Sequence, residues 1–208
     1  MSAIRLRGAT SGTTDVVAAA IAGDGVMTLP TGTGTLATAA YVDAAVAAGG
    51  KVLQVVSVTK SDTFGLTSAT FVDITGLSVT SAALRSTSSR VKITVAIGRS
   101  SIATGYSSSA FRLMRDSTAI GVGDAAGVRT QASFAFNPNP NNDANHSAGG
   151  IAFTFIDSPA TTSTVVYKIQ MMTQSAQQGY INRTIADGND AGAPSSRTVS
   201  TITIEEIA

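Results

Sequence analysis

The chain has no cysteine, no tryptophan and one histidine among its 208 residues. Without cysteine, a disulfide framework and a thiolate metal site are both excluded, and the redox compartment leaves no trace. Long apolar runs are missing too. The longest stretches, such as VVAAAIAG at 16–23, fall well short of the ~20 residues a membrane helix needs. The opening MSAIRLRG lacks the apolar centre of a signal peptide, so a cytoplasmic origin in whatever cell makes the protein is expected. Charge is scarce: 13% of residues are charged and the formal net charge is +1. Nothing global therefore attracts nucleic acid or an anionic membrane, and neither is expected as a partner. Aromatics supply only 5%.

Small residues dominate what is present. Hydrophobic content is 43%, much of it Ala and Val, and Ser, Thr and Gly are abundant. This composition suits strands, turns and close small-residue interfaces better than long solvated helices.

The chain divides into three parts. Residues 1–35 read as an extended arm. IRLRG alternates apolar and basic residues, SGTTD and AGDG are turn-like, and VMTLP closes at Pro30. An arm this rich in Gly, Ala and Thr cannot bury a core of its own, so it is expected to lie on a neighbouring surface. Ile4, Arg5, Leu6 and Arg7 are its candidate docking residues. Residues 36–50 contain one helical stretch, LATAAYVDAAVAA, with Thr38 as N-cap and Gly49 beyond its end. Thr35, Ala39, Val42, Val46 and Gly49 repeat at 4-3-4-3, a short a/d seam through which copies of the helix would associate. Ala39, Val42 and Val46 are the predicted trimer-interface residues.

From residue 51 the apolar period becomes two. KVLQVVSVTK, TFVDITGLSVT, RVKITVAIG, SSAFRLMRD, VRTQASFAF, GIAFTFID, TVVYKIQMM and STITIEEI each read as a strand. Turn clusters such as SDTFG, STSS and FNPNPNNDANHSAGG separate them. About eight strands without intervening helices predict an antiparallel β-sandwich or jelly roll over residues 51–208.

Candidate chemistry is thin. GTGTLA, with Gly32, Gly34 and Ala37, satisfies G-x-G-x-x-A between a short strand and a helix. No acid follows at the spacing a ribose needs and no further βαβ unit appears, so the stretch is a joint. GVGDAAG at 121–127 is read as a turn. DGNDAG at 187–192 imitates the start of a calcium loop, but Ala191 and Thr198 replace oxygen ligands the loop requires. His146 lies in a polar loop without local partners. Glu205 and Glu206 fall on opposite faces of a terminal strand and read as solubilisers of a sheet edge. The sequons at Asn145 and Asn182 matter only in a secreted eukaryotic setting. No catalytic, cofactor-binding or metal residue is assigned, and no enzymatic activity is expected.

IRLRGATSGTTDVVAAAIAGDGVMTLPTGTGTLAT resembles the N-terminal segment of tailed-phage virion proteins, especially those of cyanobacterial and marine phages. VVSVTKSDTFGLTSATFVDITGLSVT, FRLMRDSTAIGVGDAAG, IAFTFIDSPATTSTVVYKIQM and TITIEEI are similar to stretches of phage structural domains of the tail-fibre kind. The resemblance covers nearly the full chain. It implies a non-enzymatic virion component, usually trimeric, with an anchoring arm and a distal β-knob. A chain of this length without a long shaft fits a capsid decoration (cement or head-fibre) protein seated on the major capsid protein. The competing placement is a short tail fibre contacting the tail or baseplate. Its knob loops, 137–149 and 186–196, would then bind a host surface glycan or receptor.

Overall fold

Alternating apolar residues over long stretches require a sheet with one wet and one dry face, and the chain supplies two such sheets. The computed structural model describes residues 3–7, 13–17, 52–103, 108–137 and 148–208. The chain divides into two units, Met1–Tyr41 and Val42–Ala208. In the first, β1 (Ala3–Arg7) pairs antiparallel with β2 (Thr13–Val17), which sets Arg5 opposite Asp15. The residues read as the trimerising helix, including Ala39, Val42 and Val46, lie outside the described residues, as does His146.

The second unit is the β-sandwich expected from the period of two. Its eleven strands are β3 (Val52–Lys60), β4 (Phe64–Leu66), β5 (Val72–Thr80), β6 (Arg90–Ile102), β7 (Ser109–Arg115), β8 (Thr118–Ile120), β9 (Phe134–Phe136), β10 (Ala148–Asp157), β11 (Val166–Thr173), β12 (Gly179–Ile181) and β13 (Ser200–Ile207). One sheet has six strands in the order β3-β13-β6-β12-β4, with β10 on the other edge of β6. The other has five in the order β5-β11-β7-β8, with β9 also on β7. Every pairing is antiparallel.

The core fills the space between the two dry faces. Ile93, Val95, Ile97, Ile202 and Ile204 come from the six-stranded sheet; Leu77, Val79, Phe111, Leu113, Tyr167, Ile169 and Met171 come from the five-stranded one. Each such side chain is worth roughly 1.5–3 kcal/mol on burial, and β-branched residues suit the pleated surface. β6 is thirteen residues long and serves as the spine. β13 pairs along Arg90–Ala96, β12 takes over at Ser100–Ile102, and β10 runs along the opposite edge. Gly98 lies where that handover happens; a Cβ there would collide with the Val199 carbonyl, so only glycine fits.

Three readings are corrected. Glu205 and Glu206 do point to opposite faces, but β13 is no edge strand: it is clamped between β3 and β6. Glu206 is buried in consequence. The segment 128–136 forms a strand only over Phe134–Phe136, because Gly127 turns the chain at φ +62° and Val128 stands fully exposed. SDTFG is only partly a turn, since Phe64 already begins β4.

Candidate functional site

Buried ionisable groups come first, since a catalytic or metal centre would need them. Asp157, at the end of β10, is buried and accepts hydrogen bonds from the Tyr167 hydroxyl at 2.8 Å and from Arg115 Nη1 at 3.0 and 3.1 Å. This cluster ties the six-stranded sheet to β7 and β11 of the other. Burial, then the hydrogen bond to Asp157, pushes the Tyr167 phenol far above its usual range, so it stays a neutral donor.

Glu206 anchors the loop between β5 and β6. Its carboxylate accepts the Gln54 amide and the Arg85 backbone N–H, each at 2.7 Å. Burial pushes this carboxyl up, but those bonds and the Arg85 charge together hold it below the ordinary value.

Asn182 follows β12 at φ +63°, a left-handed conformation that asparagine tolerates better than most residues. Its Nδ2 donates to the Lys60 and Asp62 carbonyls at 2.9 Å, and its Oδ1 accepts from Ser200 Oγ at 2.7 Å. The residue is fully buried, so this sequon is a structural knot.

Each cluster is closed on itself, and among the described residues no three His, Asp or Glu side chains gather as a metal would require. In the 187–192 loop, Asp187 bonds Arg197 at 2.6 Å and Arg183 at 3.2 Å. Asp190 accepts from the Gly192 N–H at 2.7 Å and from Ser195 Oγ at 2.6 Å. The turn reading holds. So does that of 121–127, where Gly121 and Gly127 both have positive φ. Of the two proposed ligand loops, 137–149 falls outside the described residues over 138–147, and 186–196 is a mostly exposed polar loop.

The outward faces differ sharply. On the five-stranded sheet Asp73 accepts from Lys168 at 2.7 Å and Gln170 at 2.8 Å, and Arg112 lies 3.9 Å over the Phe71 ring. The Lys168 bond chiefly holds the Asp73 carboxyl below its usual value. This is an ordinary solvated surface.

The six-stranded sheet is different. Register sets Val55, Glu205, Lys92 and Ile156 in one row across β3, β13, β6 and β10. Ser57, Thr203, Thr94 and Thr154 form the next row, and Thr59, Thr201, Ala96 and Ala152 the third. The ionised side chains in these rows are Lys92 and Glu205, which pair at 2.5 Å. Ser57 and Thr203 hydroxyls are 2.8 Å apart. With the charge internally neutralised and the Ser57 and Thr203 hydroxyls bonded to each other, this face suits contact with another surface better than catalysis. Sequence reading singled out only Glu205 among these residues, and as an edge solubiliser. The signal was available in TIT, ITVAI and AFTFI, whose off-core positions are Thr or Ala where Lys or Glu usually stand.

No helix among the described residues is long and apolar enough to cross a membrane. No protein-family model matches the chain, and no curated protein does. Among solved structures, it is similar to a chain in the structure of the infectious bursal disease virus Gt strain, at 15% identity and a TM-score of 0.37, covering 98% of this chain and 46% of that one. A chain of the Gx strain structure gives 15% identity and a TM-score of 0.37, with 74% and 37% covered. The protein thus spans less than half the length of either. Superposition that loose leaves fold and function to this chain's own residues.

Proposed function

We propose that the chain is a non-enzymatic structural component of a tailed-phage virion: a homotrimeric capsid decoration protein, of the cement or head-fibre kind. Residues 1–35 anchor it to the major capsid protein, and the β-sandwich stands outward as a knob. The observation that carries this reading is the ordered series of phage-like motifs from IRLRG to TITIEEI over nearly the whole chain. The molecule's own chemistry supports it. The three buried ionisable or amide clusters described above serve internal ties, and one broad sheet face is almost free of net charge.

The arm acts by strand addition. β1 and β2 form a two-stranded pairing, which alone in water is marginal and gains stability when a further strand joins it. Three arms held in one trimer bind at a high effective concentration, so weak single contacts sum to firm attachment and staple neighbouring capsid subunits together. The Ala39/Val42/Val46 seam holds the three copies near the arms.

Two measurements test this. Averaged images of intact particles should show the knob on the shell; density on the tail instead would favour the short tail-fibre reading and a host receptor or glycan. Deleting residues 1–35 should leave a soluble trimeric knob that no longer binds capsids, and binding at full occupancy after the deletion would refute the arm model.

A further inference from the structure

The two long edges of the six-stranded sheet match each other. Among the described residues, β3 pairs only with β13, and β10 only with β6. Each therefore leaves one line of backbone N–H and C=O groups without a strand partner. Proteins usually guard such edges with lysine, proline, bulges or brevity. Each edge has one register shift near an end, between Gly149 and Ile151 in β10 and between Glu206 and Ile207 opposite β3, and is otherwise unguarded. β3 carries no charge from Val52 to Thr59, β10 none from Ala148 to Ile156, and neither contains proline. Pairing is regular over Gln54–Glu206 to Lys60–Ser200 and over Ile151–Ile97 to Asp157–Val91, without a bulge.

The side chains along the two edges correspond row by row. On the outward face, Val55 and Ile156 occupy opposite ends of a single row, separated by Glu205 and Lys92. Both are exposed, at 60% and 42%. On the inward face, Val56 shares a row with Phe155 and Val58 with Phe153. All four are only partly buried and close the flanks of the core. Direction agrees as well. β3, β13, β6 and β10 alternate in direction, so the β10 edge of one copy meets the β3 edge of another antiparallel, with these rows continuous.

We propose that β3 of one copy pairs head-to-tail with β10 of the next, Val55 facing Ile156, and that three copies close into a ring. The contact extends the sheet, shields two exposed aliphatic side chains and completes the cover over Val56, Val58, Phe153 and Phe155. It is heterologous, joining two different edges, so it ends in a ring where the rotation closes and in a filament where it does not. The stoichiometry rests on the trimeric reading above; the surface does not.

The absence of native cysteine makes the test clean. Within one copy, residues 55 and 156 stand three strand spacings apart, about 14 Å, beyond the ~7 Å Cα limit for a disulfide. In full-length V55C/I156C any bridge must therefore join two chains. On mild oxidation, non-reducing gels should show one, two and three chain masses and nothing larger, while V55C and I156C singly stay at one. Dimers from I156C alone would mean that this edge pairs with itself and would overturn the proposal. So would a double variant that remains at one chain mass, or bands running past three.

Light scattering on the untreated full chain separates the two levels. A trimer without cross-links sinks the edge pairing and leaves the trimeric reading standing; a monomer at the same concentration sinks both. As a second arm, V55K should weaken association at least tenfold, and V55K/I156E should restore it by placing opposite charges across the contact. Both positions are exposed, so an unchanged far-UV circular dichroism spectrum of each variant is the control for folding.

Discussion

Asp157 offers the sharpest test of how the sandwich is held shut. Asp157→Ala removes the acceptor for the Tyr167 hydroxyl and for Arg115. The two partners fare differently. Arg115 retains 28% of its side-chain exposure and finds water, so its loss resembles that of a surface pair, about 0.5–1 kcal/mol. Tyr167 is fully buried, and an orphaned hydroxyl there costs about 1–3 kcal/mol. The sum is about 3 kcal/mol, which for a domain of this size lowers Tm by roughly 6–12 °C. Tyr167→Phe leaves Asp157 with Arg115 and should cost about 1.5 kcal/mol. The double variant orphans no hydroxyl, so it should fall short of the sum of the singles by about 1–2 kcal/mol. Urea and thermal melts at one fixed protein concentration measure all four species, since assembly makes Tm concentration-dependent. Additive singles, or an Asp157→Ala protein that melts like its parent, would refute the reasoning.

Two other clusters give equally direct outcomes. Asn182→Asp keeps the shape but turns a donor into a carboxylate facing the Lys60 and Asp62 carbonyls; it should lose about 3 kcal/mol in urea melts near neutral pH. Asn182→Gly accepts the backbone angle and should lose less. Glu206 sets an acid limit. Its folded-state pKa lies below the ordinary 4.5, so its stabilisation is fully present above that value and is lost as pH falls through the lower folded one. Stability measured from pH 6 down to 3 should decline below about 4.5, and Glu206→Gln should start less stable and decline less steeply; an unchanged slope would remove Glu206 from the account.

The sandwich was legible because its long strands are long enough to show a period. Val91, Ile93, Val95 and Ile97 alternate with Lys92, Thr94 and Ala96, and that pattern marks a half-buried strand wherever it falls. Three strands were not legible: Phe64–Leu66, Thr118–Ile120 and Gly179–Ile181 have three residues each, too few for alternation to register. Strand order left no local trace either. Glu206 looks like an edge residue from its neighbours, and only the pairing of β13 with both β3 and β6 makes it interior. The same holds for the polar ties. Asn182 reaches carbonyls at residues 60 and 62, and no spacing rule connects positions so far apart. The sheet rows that form the candidate surface were hidden for a related reason, since each contributes one residue from each of four distant strands.

The central place of β13 has a consequence for how the molecule is made. The last eight strand residues slot between β3 and β6, so the larger sheet stays split until residues 200–207 have left the ribosome. Nascent chains must hold the earlier strands unjoined until then, and the long-range pairing that follows is slow. A product that stops short of Ser200 never builds the four-strand stretch from β3 to β10.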